Sequence, residues 1–213
     1  MARELDIRTG LLPDEFERVL ATLKQGGVII APTDTLYGLL GDAFQERVVR
    51  RIFAIKQRPQ GMPLPLICAN VEQVAGIAEL PPLAKTLAQR FWPGPLTIAL
   101  PARDSVPDYL PAEDGTVAVR VPAHELCRQL AEALGHPLTA TSANLSGQPA
   151  ANRIEAIAEA VRRQVDWLLQ AGPLPHTQPS TIIGFVNEKI KLYREGVISR
   201  REIGESVGEH NIE

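Results

Sequence analysis

Four cations in this chain stand where neither an amphipathic helix face nor a core strand would place them. Lys56 and Arg58 come just before Pro59, Arg120 interrupts the apolar run VAVRVP, and Arg194 falls within YREG. Arg120 is the most informative, because a core-facing strand residue is ordinarily apolar and an unpaired buried guanidinium is costly. A structural salt bridge accounts for any one of them, whereas four together describe a site for an anion. Three hydroxyl-bearing loops supply the complement. Thr33, Asp34, Thr35 and Tyr37 follow the apolar run Val28 to Ala31; Thr141-Ser142-Ala143-Asn144 follows the short run beginning at Leu138; Pro179-Ser180-Thr181 precedes a further strand. Hydroxyls, backbone N–H groups and helix N-termini hold phosphate and carboxylate oxygens well. Taken singly, each loop is equally a polar turn.

Other chemistries fit less well. None of the loops has the glycine spacing of a Walker or dinucleotide fingerprint. His124, His136, His176 and His210 are dispersed without a Cys or carboxylate at ligand spacing, so no metal site is assigned. Ser142 lies outside any Gly-x-Ser-x-Gly elbow, which disfavours a hydrolase triad. Cys68 and Cys127 sit in apolar runs and read as buried structural thiols. What remains is a site that positions and neutralises charge.

The elements that must position these groups alternate along most of the chain. Helices are expected over residues 13–25, 45–56, 82–91, 124–134 and about 154–163, with a short one capped by Asn70. Strands are expected over 28–31, 64–69, 96–100, 116–121, 138–141 and 165–169, followed by a hairpin of 181–186 and 189–193 turning at Asn187-Glu188. This order predicts a three-layer α/β domain with one mixed sheet. Residues 197–213 are polar and weakly periodic, and are expected to form an exposed C-terminal tail. With 213 residues the chain suits one domain plus that tail. A net charge of −3 argues against a wholly basic surface but permits local basic pockets. The charged start MARELDIRTG and the short apolar runs lead to the expectation of a cytoplasmic protein without a membrane span.

Seven segments carry a resemblance: PTDTLYGL at 32–39, KQRP at 56–59, WPGPLT at 92–97, VAVRVP at 117–122, TSANLSG at 141–147, PSTI at 179–182 and REG at 194–196. In this order they resemble the YrdC/Sua5 family of threonylcarbamoyl-AMP synthases, in its short single-domain form. The resemblance implies a YrdC-like domain over residues 1–196, a twisted open mixed β-sheet flanked by helices around a concave basic cavity. It implies formation of L-threonylcarbamoyladenylate from L-threonine, bicarbonate and ATP, with release of pyrophosphate, for the N6-threonylcarbamoyladenosine of tRNA. Mg2+ is expected with the ATP, and a downstream transferase machinery is the implied partner, with tRNA reached indirectly.

Carried across by position, Thr35, Arg120 and Ser180 would hold threonine. Lys56 and Arg58 would be catalytic and face the ATP phosphates, with Thr116, Ser142, Asn144 and Arg194 also binding ATP. The chain departs from many relatives in the run QGMPLPLIC, where Met62 and Ile67 replace expected polar side chains. Two other readings stand beside this one. One is an RNA-binding module using the same cavity; the other is a YrdC-like paralogue with an altered carbamoylation substrate.

Overall fold

The structure is a computed structural model describing residues 2–59 and 62–213. Its strands are β1 (Arg3–Asp6), β2 (Ile29–Ala31), β3 (Gly38–Leu40), β4 (Leu66–Ile67), β5 (Leu96–Pro101), β6 (Thr116–Arg120), β7 (Leu138–Thr139), β8 (Thr141–Ser142), β9 (Trp167–Gln170), β10 (Thr181–Val186) and β11 (Lys189–Arg194). The helices are α1 (Pro13–Lys24), α2 (Glu46–Lys56), α3 (Val71–Ile77), α4 (Pro82–Phe91), α5 (Glu125–Leu134), α6 (Glu159–Arg162) and α7 (Arg200–Val207).

The fold is α/β as expected, but the strands divide between two mixed sheets. One runs β1-β9-β2-β3-β8, the other β11-β10-β5-β6-β4-β7. In the first, β9 lies between β1 and β2 and parallel to both, while β3 turns back antiparallel. Side chains alternate across a strand, and β2 shows the consequence. Val28 and Ile30 enter one apolar cluster, shared with α2, while Ile29 and Ala31 enter a second formed with α1 and α5. Burial on both faces explains why that segment is continuously apolar.

The helix ends follow local chemistry. Pro13 opens α1, and the Asn70 side chain accepts from Gln73 N–H at 2.8 Å to cap α3. Gly135, at φ 78°, closes α5 in the left-handed region that glycine tolerates. Gln57 is also left-handed, at φ 50°, so α2 stops at Lys56 and the chain swings away before Arg58. The hairpin turn has both Asn187 and Glu188 at positive φ, as a two-residue type I′ connection requires.

Three expectations are corrected. Residues 154–163 are not one helix: a single 3-10 turn at Ile154–Ala156 and the four-residue α6 are separated by extended backbone at Ile157 and Ala158. The same apolar residues, Ile154, Ile157 and Val161, are nevertheless buried, so the periodicity reported burial and not helix continuity. The two short strands β1 and β3 were not expected. β1 is a mostly exposed edge strand with little apolar signal, and β3 has only three residues. Finally, 197–213 is not an exposed tail. Ser199 and Glu202 form a capping box at the start of α7, and Ile198 and Ile203 are buried in the main core.

Candidate active site

The register of the second sheet aligns the site. Ile182 of β10 pairs with Arg194 on one side and Thr97 on the other, and Ile67 pairs with Arg120. The Ile98–Val119 pair between β5 and β6 leaves Thr97 and Arg120 one step beyond it, on facing strands. Residues distant in the chain thus reach one level of the sheet. The first sheet contributes the β2–β3 loop and β8. Between the two lies a cavity of about 170 Å³ lined by the guanidinium groups of Arg58, Arg120 and Arg194 and by the hydroxyls of Thr35, Ser142 and Ser180, with Thr33 and Thr97 beside them. Among the described residues no carboxylate lines it.

The β2–β3 loop is folded by its own hydroxyl. Thr33 Oγ1 accepts from the N–H of Thr35 at 3.1 Å and donates to the carbonyl of Leu36 at 2.8 Å, a side-chain turn that presents Thr35. Arg120 is 5% exposed and forms an ion pair with Asp34 at 3.1 Å, off the alignment of a hydrogen bond, while donating to Thr35 Oγ1 at 3.4 Å. The structural salt bridge and the site-facing guanidinium are therefore the same residue. Asp34 Oδ2 also accepts from the N–H of Ala123 at 3.1 Å, which ties the loop to the segment after β6.

At the other wall, the Arg194 guanidinium donates to the carbonyl of Ser180 at 3.2 and 2.9 Å, and the Ser180 and Thr97 hydroxyls lie 2.9 Å apart. Burial lowers the pKa of Arg58, and that of Arg194 is lowered by burial and then by the positive charge of Arg120. Desolvated cations that repel one another favour an anion between them.

Six of the expected residues, Thr35, Arg58, Arg120, Ser142, Ser180 and Arg194, meet at this cavity. Lys56 and Asn144 lie behind its wall. The Lys56 ammonium is buried and donates to the carbonyls of Ser142 and Asn144 and to Asn144 Oδ1, the last two at 2.9 and 2.7 Å. Asn144 Oδ1 also accepts from the Ser142 hydroxyl at 2.7 Å. In this arrangement their polar atoms fix the loop that carries Ser142. Thr116 stands apart from these residues. It begins β6 while Arg120 ends it, about 13 Å away at the rise of a strand, and its hydroxyl donates to Asp114 at 2.7 Å.

Thr33 and Thr97 line the cavity without having been singled out as site residues. Thr97 had a legible signal: pairing β5 with β6 sets a polar residue level with Arg120 at the matching ends of two apolar strands. Of the departing residues, Ile67 is fully buried in the core with Cys127 and Leu130, and Met62 lines a separate surface hollow beside Tyr109. A larger hollow of about 560 Å³ shares Tyr37, but its charged lining is Arg8, Arg153 and Glu155. Mixed charge and the absence of the converging hydroxyls make it the poorer candidate.

Fold and cavity together define an α/β protein whose two sheets close on a small guanidinium- and hydroxyl-lined site. The family model for Sua5, YciO and YrdC, described as "Telomere recombination", matches residues 21–196, and the chain belongs to that family. It is 38% identical over 191 residues to the threonylcarbamoyl-AMP synthase of Pyrococcus abyssi, covering 89% of this chain and 56% of that protein. It is 36% identical over 189 residues to a putative threonylcarbamoyl-AMP synthase of Methanocaldococcus jannaschii, covering 87% and 89% respectively. Among solved structures, P. abyssi Sua5 complexed with L-threonine superposes with a TM-score of 0.92 at 34% identity, over 99% of this chain and 62% of that one. The chain thus spans little more than half of the Pyrococcus relative and nearly all of the Methanocaldococcus one.

Proposed function

We propose that this chain is a threonylcarbamoyl-AMP synthase that joins L-threonine, bicarbonate and ATP and releases pyrophosphate. The observation that carries the reading is the convergence of six separate cation- and hydroxyl-bearing residues on one cavity, in a fold that superposes on a relative complexed with L-threonine.

Burial divides the site by ligand. Thr35, Arg120 and Ser180 are each no more than 7% exposed, whereas Arg58 and Ser142 are half-buried and Arg194 is open to solvent along its stem with its guanidinium partly buried against Ser180. A cavity this small falls below the roughly 300 Å³ of a drug-sized pocket, so the inner group encloses threonine and the nucleotide lies across the outer one. Arg120 pairs the threonine carboxylate, assisted by the Ser180 hydroxyl. Arg58, Arg194 and Ser142 face the phosphates. Mg2+ accompanies the triphosphate, since among the described residues the lining offers the metal no carboxylate.

The threonine amine, as its neutral form, adds to CO2 derived from bicarbonate and loses a proton, giving a carbamate. A carbamate oxygen then attacks the α-phosphorus, and the bond to the β,γ-diphosphate breaks to release pyrophosphate. Two anions must approach, so the barrier is largely repulsion, which fixed guanidinium groups and oriented donors reduce without a covalent nucleophile. Lys56 and Asn144 act through Ser142, as positioning residues. The adenylate passes to a transferase that modifies tRNA in the cytoplasm. Pyrophosphate release from ATP that requires both threonine and bicarbonate is the expected result, and release that ignores either substrate overturns the proposal.

A further inference from the structure

The strand that delivers Ser180 is held from outside the cavity by a hydroxyl that touches no ligand-facing group. Thr181, fully buried, donates to the carbonyl of Ile198 and accepts from the N–H groups of Gly196 and Ile198 at 3.0 and 3.1 Å. Three contacts use the full capacity of a threonine oxygen. The Val197 N–H adds a bond to the carbonyl of Pro179 at 3.0 Å. Gly196 is pressed so closely on this segment that a Cβ there would lie 2.1 Å from the Pro179 oxygen.

The segment that Thr181 grips is itself anchored. Ile198 and Ile203 are buried in the main core, and α7 packs on α4. At the far end, Ile212 forms a parallel bridge with Ile190 of β11, and the Glu213 N–H donates to the Ile190 carbonyl at 2.9 Å. Residues 197–213, which lie beyond the stretch matched by the family model, therefore brace the hairpin at both ends. That hairpin carries Arg194, whose guanidinium in turn grips the Ser180 carbonyl.

We propose that Thr181 is a positioning residue for the amino-acid end of the site, coupling the C-terminal segment to the placement of Ser180. The inference rests on the proposed use of the inner cavity for threonine, and deepens it. Of the phosphate-facing residues only Arg194 lies on the clamped hairpin, while Arg58 and Ser142 stand on other elements, so loosening this clamp weakens threonine binding more than nucleotide binding.

The test is calorimetric binding of L-threonine, and separately of a non-hydrolysable ATP analogue, to the full chain and its variants. Thr181→Val keeps the shape and removes the hydroxyl. It is expected to weaken threonine about tenfold, the equivalent of one lost hydrogen bond of 1.4 kcal/mol, with a smaller loss of no more than about threefold for the nucleotide. Thr181→Ser is expected to restore threonine binding. Unchanged threonine affinity in Thr181→Val, or equal loss for both ligands, overturns the proposal. If Thr181→Val does not fold, Ile212→Ala decides: it loosens the brace far from the cavity, and a threonine-selective weakening supports the coupling while unchanged binding refutes it. Failure of the wild-type chain to bind threonine at all would instead overturn the functional reading, which separates the two ideas.

Discussion

Removing Arg120 should damage folding and threonine binding by separable amounts. The Arg120–Asp34 pair is 3.1 Å long, with both side chains 6–7% exposed. Arg120→Ala leaves the Asp34 carboxylate nearly dry, with the Ala123 N–H as its remaining hydrogen-bond donor. Breaking one partner of a buried pair costs about 3–5 kcal/mol, a large part of the 5–15 kcal/mol that typically holds a domain together. Loss of the contact to the substrate carboxylate costs roughly 2–5 kcal/mol in addition, or about 30- to 4,000-fold in affinity. The double variant Arg120→Met/Asp34→Asn distinguishes the two effects, since replacing both charges removes the orphaned carboxylate. It should recover most of the lost stability in denaturant unfolding and none of the lost threonine affinity in calorimetry. Threonine binding by the double variant within about twofold of wild type would refute the assignment of Arg120 to the substrate.

Three further outcomes follow from the same geometry. Burial, and then the charge of Arg58, lower the Lys56 ammonium from the ordinary 10.5 to about 8. Between those values the unfolded chain holds a proton that the fold has lost, so the contribution of Lys56 to stability rises with pH across that window and is level, at its least favourable, below it. An NMR titration of labelled lysine should show a midpoint near 8 that moves upward in Arg58→Gln, and a midpoint at the ordinary value would contradict the burial argument. Tyr37→Phe removes a hydroxyl that donates to the Gly172 carbonyl and accepts from the Ala171 N–H, each at 2.9 Å; thermal unfolding should report a loss of about 1–3 kcal/mol, and an unaltered melting temperature would contradict it. Ser199→Ala opens the capping box of α7 and should cost about 1 kcal/mol, whereas an unaltered melting temperature would mean that α7 is not integral to the fold.

How much of this was legible in the chain depended on whether a signal was local. The Asn187-Glu188 turn, the Asn70 cap and the apolar spacing of α1, α2, α4 and α5 each lie within a few residues, and each gave an element close to its observed bounds. Division into two sheets depends on which strands pair across long separations, which spacing does not encode. The C-terminal segment misled because Ile198, Ile203 and Ile212 are buried from a loop, a helix and an edge bridge in turn, so no single period links them. In the site, Arg58, Arg120 and Arg194 were legible as violations of their local pattern. Lys56 violated the pattern too, yet its ammonium turns back onto the Ser142–Asn144 loop, a fact set by tertiary distance alone.

The central claim is that one cavity between the sheets receives both ligands. It is tested most directly by electron density from a crystal of this chain soaked with L-threonine and a non-hydrolysable ATP analogue. Threonine is expected against Arg120 and Ser180, with phosphates toward Arg58, Ser142 and Arg194. Density for either ligand in the hollow beside Arg8 and Arg153, with this cavity empty, would contradict it.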